Sequence, residues 1–291
     1  MTSTAEDLQP SALEDALHRA VFAYVNQDYP GAKRTAEYNA SRVELRMKEE
    51  TGAPTMRFTE RVRSLVAPPA RVLEIGSGSG GLCVALARMG YDVTGIEPNE
   101  DGVRASRLRA QRYPGIRCRF EVGVAERLPL PDGSVDLVVS RQVLEHVPDL
   151  PGAARECFRV LAPGGLCYHN LPNFTFPWEG HYRVPWIPRA SRRVGRLYLR
   201  AIGRDTRLFD EQIFPTTPQQ VIGIFRQAGF VDVEDRYAGE VAAKFATGEV
   251  NTPALRPVAK LLQRTGVLRL VSGAVLAMEL YPTTLLTARK P

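Results

Sequence analysis

Short apolar runs alternate with longer amphipathic ones through the middle of the chain. The short runs are rich in Val, Ile and Leu, and polar or turn-forming residues separate them, which is typical of β-strands. The longer runs repeat apolar residues at helical spacing. Strands that alternate with such helices form βαβ units, in which helices cover both faces of a parallel sheet. The predicted strands are 71–75, 91–97, 116–122, 134–140 and 166–170, and the predicted helices between them are 79–89, 99–112 and 151–161.

Further helices and strands are predicted before and after this alternating core. Apolar residues recur at helical spacing in residues 1–66, which predicts helices there, with Glu50 on a polar edge. After residue 171 the alternation stops, and T-T-P-Q-Q at 216–220 then begins another helix. Two final strands are predicted at 231–237 and 281–288.

The whole pattern predicts an α/β fold: a Rossmann-like, doubly wound, mostly parallel sheet of seven strands. N-terminal helices precede the sheet, and a cap is inserted after the fifth strand. We divide the chain into an N-terminal helical segment (1–66), a core (67–171), a cap (172–214) and a C-terminal part of the sheet with a basic helical insertion (215–291).

Composition adds few constraints. The 291 residues are 44% hydrophobic and 24% charged, as in ordinary globular proteins. The four cysteines form no C-x-x-C pair, so we expect reduced thiols. No apolar run is long enough for a membrane span, and the polar, acidic N-terminus is not a signal peptide. A cytoplasmic protein is therefore expected.

A glycine-rich loop follows the first strand. E-I-G-S-G-S-G-G spans 74–81 and opens a helix, so its free N–H groups face any ligand at that edge. Gly76 permits a tight turn and Gly78 a close approach of the backbone. Glu97 ends the second strand, where a carboxylate can bind a ribose diol. The loop by itself fits a nicotinamide dinucleotide and S-adenosyl-L-methionine (SAM) equally well.

Further motifs separate these two cofactors. An acidic residue precedes the glycines, and three segments follow in order: G-V-A-E-R-L-P-L-P-D-G-S-V-D at 123–136, S-R-Q-V-L-E-H-V at 140–147 and R-V-L-A-P-G-G at 159–165. Together they resemble the class I SAM-dependent methyltransferases, especially those that act on small molecules and lipids. The resemblance is strong over about 70–170 and moderate over 215–235.

The resemblance implies a role for each matching residue. The methionine part of SAM would lie in a pocket formed by Glu74, Gly76, Ser77 and Gly78, and Glu97 would hold both ribose hydroxyls. The backbone N–H of Ala125 would meet the adenine ring, with Glu126 beside it, and the backbone of Arg141 would lie under the sulfonium. The chain departs from the family at Val124, where an Asp is frequent.

Two histidines are the candidate catalytic residues. Methyl transfer from a sulfonium needs alignment and exclusion of water, and oxygen or carbon acceptors usually also need a general base. His146 follows the fourth strand and His181 lies in the irregular segment after the fifth; each can act as base or acceptor contact, or be structural. We expect His18 to lie on the surface and His169 to be half-buried and hydrogen-bonded.

No metal is predicted at this site. Some relatives hold a metal with E-x-x-E-H after the fourth strand, but here the first position is Gln142. The loss of one carboxylate weakens divalent-metal binding, because such ions favour hard oxygen ligands.

The cap is strongly basic. Residues 183–207 contain eight arginines and one acid. The apolar residues Val194, Leu197, Tyr198 and Ala201 recur at helical spacing, so the simplest interpretation is a helix that packs its apolar side on the core. Alternatively the arginines bind an anionic acceptor, or the helix lies on a membrane surface. Trp178, Trp186 and Tyr198 would then contact an apolar tail or the bilayer boundary. The basic stretch 256–269 would reinforce this.

The sequence therefore predicts a SAM-dependent methyltransferase that modifies a small-molecule, glycan or lipid-linked acceptor, at oxygen or carbon. The alternatives are a nucleic-acid methyltransferase, an NAD-dependent oxidoreductase and a non-catalytic SAM-binding protein. Nucleic acid is disfavoured, since no N-P-P-Y-type motif and no separate RNA-binding module is present. Peripheral membrane contact is a further expectation.

Overall fold

A seven-stranded sheet forms the centre of the protein. The computed structural model describes residues 9–26, 35–247 and 267–291. The strands are β1 (Arg71–Ile75), β2 (Asp92–Glu97), β3 (Cys118–Val122), β4 (Val135–Arg141), β5 (Leu161–Pro172), β6 (Trp178–Glu179), β7 (Val184–Pro185), β8 (Val231–Asp235) and β9 (Thr283–Arg289). The main sheet has the order β3-β2-β1-β4-β5-β9-β8, and β6 pairs with β7.

The first five strands run parallel, and β9 runs antiparallel to both β5 and β8. The predicted Rossmann-like, mostly parallel sheet of seven strands is thus confirmed. The carboxyl ends of β1, β2 and β4 meet at one edge, and ligands of such sheets bind at that edge.

Helices flank the sheet and precede it. They are α1 (Pro10–Val25), α2 (Ala36–Met47), α3 (Ala53–Leu65), α4 (Gly81–Arg88), α5 (Glu100–Gln111), α6 (Leu150–Val160), α7 (Arg192–Ala201), α8 (Arg207–Glu211), α9 (Pro218–Gln227), α10 (Arg236–Thr247) and α11 (Val267–Ala277). Short 3₁₀ helices span Glu49–Thr51 and Leu144–His146. Several starts are capped as the sequence predicts: Thr217, for example, forms a capping box with Gln220.

The sheet is apolar on both faces, as parallel strands between helices must be. Along β1, Leu73 and Ile75 pack into one cluster with α6 and α9, whereas Val72 packs into the other with α3 and α4. Adjacent residues thus serve opposite faces, which explains why the strands read as continuous apolar runs.

Most strand boundaries lie within two residues of the sequence prediction, and two differences are informative. β5 begins at Leu161, five residues early, because Leu161 pairs with Val135 across an irregularity in the ladder. β8 ends at Asp235, whose carboxylate accepts a hydrogen bond from the Tyr237 N–H (3.0 Å). The prediction of a strand over 236–237 is therefore wrong: those residues begin α10.

The N-terminal helices are joined to the core by a buried ion pair. The predicted position of Glu50 on a polar edge is wrong, since Glu50 is only 2% exposed. Its carboxylate pairs with the fully buried guanidinium of Arg109 in α5 and also accepts hydrogen bonds from Arg112 and Tyr113. The two chain segments are about 60 residues apart, so the helical pattern alone did not reveal this pair.

The cap has a small apolar core of its own. Phe174, Val184, Trp186, Leu199 and Phe209 pack together between β7, α7 and α8. Trp186 is buried there, and the Tyr198 hydroxyl donates to the Pro185 carbonyl (2.6 Å). Of the three aromatic residues predicted near a bilayer, Trp178 is the one that is exposed; the prediction for Trp186 is wrong.

Helix α7 faces the opposite way from the prediction. Its buried residues are Gly195 and Leu199, whereas Val194 is 44% and Leu197 65% exposed. Gly195 faces inward and packs closely against Trp186 and Phe209. A Cβ at this position would collide with both rings, so the contact requires glycine. Of the predicted apolar residues, Val194, Leu197 and Ala201 therefore face outward, whereas Tyr198 is half-buried against Trp186. Arg193, Arg200 and Arg204 are exposed beside them.

Most of the basic stretch 256–269 lies outside the described residues. Among the helices that the structure does describe, none is both long and apolar enough to cross a membrane.

Candidate active site

The glycine loop joins β1 to α4 at the carboxyl edge of the sheet. The N–H groups of Gly76 and Ser77 both donate to the Ile96 carbonyl in β2 (2.8 and 3.0 Å). Gly76 and Gly78 have positive φ, and a Cβ at Gly76 would collide with the side chain of Val143. The loop is therefore held tightly to β2, and glycine is required for both its conformation and its packing.

Glu97 lies beside this loop, as the sequence predicts from its position at the end of β2. Its carboxylate accepts hydrogen bonds from the Gly78 N–H (2.9 Å) and the Asn99 N–H (3.2 Å). The side chain is 6% exposed, and burial raises its pKa. The carboxylate is thus fixed at the loop by backbone donors.

Glu74 lies below the loop in the interior. Its carboxylate accepts a hydrogen bond from the Cys83 thiol (2.9 Å), and the residue is almost fully buried. Burial raises its pKa to about 7, although Arg141 opposes this shift. Near neutral pH the Glu74 carboxyl is therefore divided between its charged and neutral forms.

The predicted adenine side of the site follows β3. Ala125 is buried, and Glu126 is half-buried with its carboxylate accepting from the Asp149 N–H (3.4 Å). Val124, where relatives frequently have Asp, is 47% exposed. No carboxylate therefore stands at position 124.

Arg141 reaches across the site toward the N-terminal segment. Its backbone pairs with Asn170 of β5, whereas its guanidinium donates to the carboxylate of Glu49 (2.7 Å) and the hydroxyl of Thr55 (3.0 Å). The sequence motifs predict a role for the Arg141 backbone alone and give no signal for Glu49, because no local pattern links the first 66 residues to the end of β4.

His146 and His181 come together although 35 residues separate them. Their ring centroids lie 5.1 Å apart, edge to face. His146 Nδ1 is 2.7 Å from the Gln212 carbonyl, and His181 Nδ1 is 2.6 Å from the Glu179 carboxylate. A carbonyl only accepts, so His146 Nδ1 carries a proton and leaves Nε2 as an acceptor.

Glu145 completes this cluster; in the sequence it was considered only as part of the incomplete E-x-x-E-H metal arrangement, beside Gln142 and His146. It is fully buried, and neither carboxylate oxygen has a hydrogen-bond partner among the described residues. Burial raises its pKa to about 7, and one of its oxygens lies 3.9 Å from His146 Nε2. Its place in the L-E-H sequence, next to a candidate histidine, was the signal available.

Opposite pKa shifts distinguish the two histidines. Burial lowers the pKa of His146, and the neighbouring His181 lowers it further. Burial also acts on His181, but the Glu179 carboxylate outweighs it and raises the pKa. At neutral pH the cluster therefore combines a neutral His146 with a more readily protonated His181.

The same three residues offer ligand atoms for a cation. Atoms of Glu145, His146 and His181 lie within 4.8 Å of one another. Gln142, the residue weighed in the sequence, points elsewhere and donates to the Asn170 side chain (2.7 Å). The absence of a metal stays a prediction. The spacing of the sequence motif did not reveal that His181, from the cap, joins this group of possible ligands.

The two remaining histidines lie away from this cluster. His18 is exposed, as predicted. His169 is fully buried rather than half-buried: Nδ1 is 2.8 Å from the Ser140 hydroxyl, and Nε2 has no partner among the described residues. Cys157 and Cys167 lie near it in the core, and all four cysteines are free.

Comparison with known proteins agrees with the fold and the loop. Residues 73–169 match the family described as a methyltransferase domain. A probable S-adenosylmethionine-dependent methyltransferase of Mycolicibacterium smegmatis is 33% identical over 172 residues, which are 58% of this chain and 61% of that protein. A ubiquinone biosynthesis O-methyltransferase of Bradyrhizobium diazoefficiens is 28% identical over 198 residues, which are 65% of this chain and 77% of that protein.

Solved structures share the fold. A SAM-dependent methyltransferase of Mesorhizobium loti has a TM-score of 0.51 at 20% identity and covers 82% of this chain and 99% of its own. Phosphoethanolamine N-methyltransferase 2 of Haemonchus contortus has a TM-score of 0.55 at 15% identity. The match covers 100% of this chain and 61% of that one.

The chain spans about three fifths of the Mycolicibacterium relative. It spans about half of a second curated relative, the ubiquinone biosynthesis O-methyltransferase of Chelativorans. The match to the methyltransferase-domain family nevertheless contains the end of β1, the glycine loop and Glu97. By this match, together with its sheet order and loop geometry, the part of the chain around residues 73–169 is a methyltransferase domain of the class I S-adenosyl-L-methionine-dependent type, whose cofactor is SAM.

Proposed function

We propose that the protein transfers a methyl group from SAM to an oxygen or carbon atom of a small-molecule, glycan or lipid-linked acceptor. The observation that carries this proposal is that the glycine loop and the candidate base His146 are close to each other. Val143 packs on Gly76 of the glycine loop, and three residues later His146 enters the Glu145–His181 cluster. A cofactor loop and a candidate base thus lie at one edge of the sheet.

The residues around the loop fit SAM. The Ser77 hydroxyl is buried without a partner among the described residues, so a polar ligand group would satisfy it. Glu97 offers a buried carboxylate for two ribose hydroxyls, and the backbone of Ala125, with Glu126 beside it, would meet the adenine ring. Glu74, Gly76, Gly78 and the backbone of Arg141 would surround the methionine part.

SAM supplies an activated methyl group, so the protein need only position the acceptor and receive a proton. His146 is suited to that task because its lowered pKa keeps it neutral at pH 7 and the Gln212 carbonyl fixes its tautomer. His181, held by Glu179, would orient the acceptor and stabilise charge nearby. As the acceptor oxygen or carbon bonds to the methyl carbon, the bond between that carbon and the sulfonium sulfur would break, S-adenosylhomocysteine would leave, and the proton of the acceptor would pass to His146 Nε2.

The curated relatives support oxygen as the acceptor atom. Several are named ubiquinone biosynthesis O-methyltransferases. We therefore propose a hydroxyl acceptor on a small molecule with an apolar part, which a catalytic histidine would deprotonate.

The outward face of α7 supports contact with an anionic lipid surface. Val194 and Leu197 are exposed among Arg193, Arg200 and Arg204, a combination that favours the boundary of an anionic bilayer. Arg196, by contrast, pairs with Asp210 (2.6 Å), and Arg192 donates to two backbone carbonyls. These two arginines are therefore structural.

One experiment tests the proposed function directly. The protein is incubated with methyl-labelled SAM and cell extract, and the fraction that takes up label is identified. Label in a small molecule or lipid fraction supports the proposal. Label in RNA, with binding that weakens steeply with salt, would instead support a nucleic-acid methyltransferase; thermal stabilisation by NAD and not by SAM would support an oxidoreductase.

A further inference from the structure

One carboxylate of the N-terminal segment lies against the glycine loop and is held by three separate parts of the chain. Glu49 accepts hydrogen bonds from Arg46 in α2 (2.7 Å), Arg141 at the end of β4 (2.7 Å) and the Ser79 hydroxyl in the loop (3.0 Å). Burial alone would raise its pKa, but Arg46 and Arg141 outweigh burial and hold the pKa at about 2. Glu49 is therefore ionised throughout the physiological range.

This cluster lies directly at the loop. A Cβ on Gly81 would collide with the Glu49 side chain, so Glu49 packs where Gly81 leaves space. A Cβ on Gly78 would come within 3.5 Å of the Arg46 guanidinium. Arg46, Glu49 and Arg141 all act electrostatically on Glu74 below the loop. Two cations and two carboxyl groups thus surround the region proposed for the methionine part of SAM.

Such a cluster matches an α-amino acid, which carries one carboxylate and one ammonium group. Two guanidinium groups that converge on one carboxylate form a strong anion site. In this structure the anion is the protein's own Glu49. An incoming carboxylate and Glu49 cannot both occupy the same donors without repulsion.

We propose that Glu49 is a built-in competitor for the carboxylate of the cofactor. Arg46 and Arg141 form the carboxylate subsite, and Glu49 occupies it until SAM displaces the side chain. The movement is confined to Glu49, because the next residue, Glu50, is anchored to Arg109 and Arg112. The inference rests on the proposed function, since it assumes that this edge binds SAM.

The competitor lowers the apparent affinity of the cofactor by the fraction of molecules in which the subsite is open. If that fraction is on the order of a tenth, removing the Glu49 charge raises affinity about tenfold. A ligand without the amino-acid end gains nothing. This difference distinguishes competition from a general change in the pocket.

The test is calorimetric binding of two ligands, S-adenosylhomocysteine and 5′-methylthioadenosine, which lacks the carboxylate and the ammonium group. Glu49→Gln keeps the shape of the side chain and is expected to tighten S-adenosylhomocysteine about tenfold and leave methylthioadenosine unchanged. Arg141→Gln is expected to weaken S-adenosylhomocysteine alone. Glu44→Gln, at an exposed acid of α2, is the matched control and is expected to change neither.

An unchanged or weaker affinity of Glu49→Gln for S-adenosylhomocysteine would overturn the inference. If Glu49→Gln does not fold, Arg141→Gln decides: equal weakening of both ligands would also overturn it. Wild-type protein that binds neither ligand would overturn the proposed function instead, so the two failures are distinguishable.

Discussion

Among single residues, Glu97 gives the most direct test of cofactor binding when its carboxylate is removed. Glu97→Ala is expected to weaken S-adenosylhomocysteine by about 1.5–3 kcal/mol, because a charged acceptor of two hydroxyl hydrogen bonds is lost. Isothermal calorimetry measures this change. Glu121→Ala, at an exposed acid of the adjacent strand β3, is the control. Equal affinity of wild type and Glu97→Ala would remove Glu97 from the site.

His146 should determine the pH dependence of methyl transfer. The proposed base must be neutral, and its pKa is lowered by burial, so kcat is expected to be maintained at pH 7 and to fall as pH drops through this lowered pKa. His146→Ala should lose turnover by about 10²–10⁴-fold and keep cofactor affinity.

His18→Ala, at the exposed histidine of α1, is the control for this variant. Unchanged turnover in both His146→Ala and His181→Ala would show that another group or solvent takes the proton. The assays are run with and without a chelator: activity that is lost on chelation and restored by a divalent cation would contradict the predicted absence of a metal.

Glu145 is expected to destabilise the protein at neutral and higher pH. Burial raises its pKa in the folded protein from the ordinary value of 4.5 to about 7, so folding favours the protonated form. The protein therefore loses stability as pH rises from about 4.5 to about 7, and the penalty is complete above 7. Glu145→Gln removes it and should stabilise the protein at pH 8 by up to about 3 kcal/mol.

Chemical denaturation at pH 8 and pH 4.5 measures this effect. At pH 4.5 both proteins carry a neutral side chain at this position, so we expect their stabilities to converge. A stabilisation of the same size at both pH values would show that the amide acts through packing and not through charge.

At the scale of secondary-structure elements, α7 presents arginines and apolar residues on the same side. The double variant Arg193→Glu/Arg200→Glu is expected to weaken binding to vesicles that contain anionic lipid by at least about thirtyfold, since each basic residue near such a surface contributes about 1 kcal/mol and each added glutamate is repelled. SAM binding should not change. Arg119→Glu, at an exposed arginine of β3, is the control.

Two other results would weaken the membrane proposal. Sedimentation that does not depend on anionic lipid would mean that the arginines are simply solvated. A raised acceptor KM with unchanged vesicle binding would assign them to an anionic acceptor.

At the scale of the whole molecule, the Arg109–Glu50 pair joins the N-terminal helices to the sheet domain. Arg109→Leu leaves the Glu50 carboxylate without its buried partner, and loss of one member of such a pair typically costs about 3–5 kcal/mol. We expect a lower melting temperature, faster proteolysis within residues 35–65 and weaker cofactor binding. Arg104→Leu, at an exposed pair of α5, should be nearly neutral. Proteolysis that starts elsewhere in Arg109→Leu would argue against this joining role.

The sheet and the loop could be predicted from the amino-acid sequence because both depend on local patterns. Short apolar runs require strands buried on both faces, and Gly76, Gly78 and Glu97 follow from the one place where a strand, a turn and a helix meet. Glu49, Glu145 and the outward face of α7 were decided by tertiary structure alone. Their roles depend on contacts that local periodicity does not contain: Arg141 approaches Glu49 and His181 approaches Glu145 from tens of residues away, and Trp186 fills the space at Gly195 from the end of the preceding strand. Helical spacing shows that a helix has two sides, but only packing decides which of them is buried.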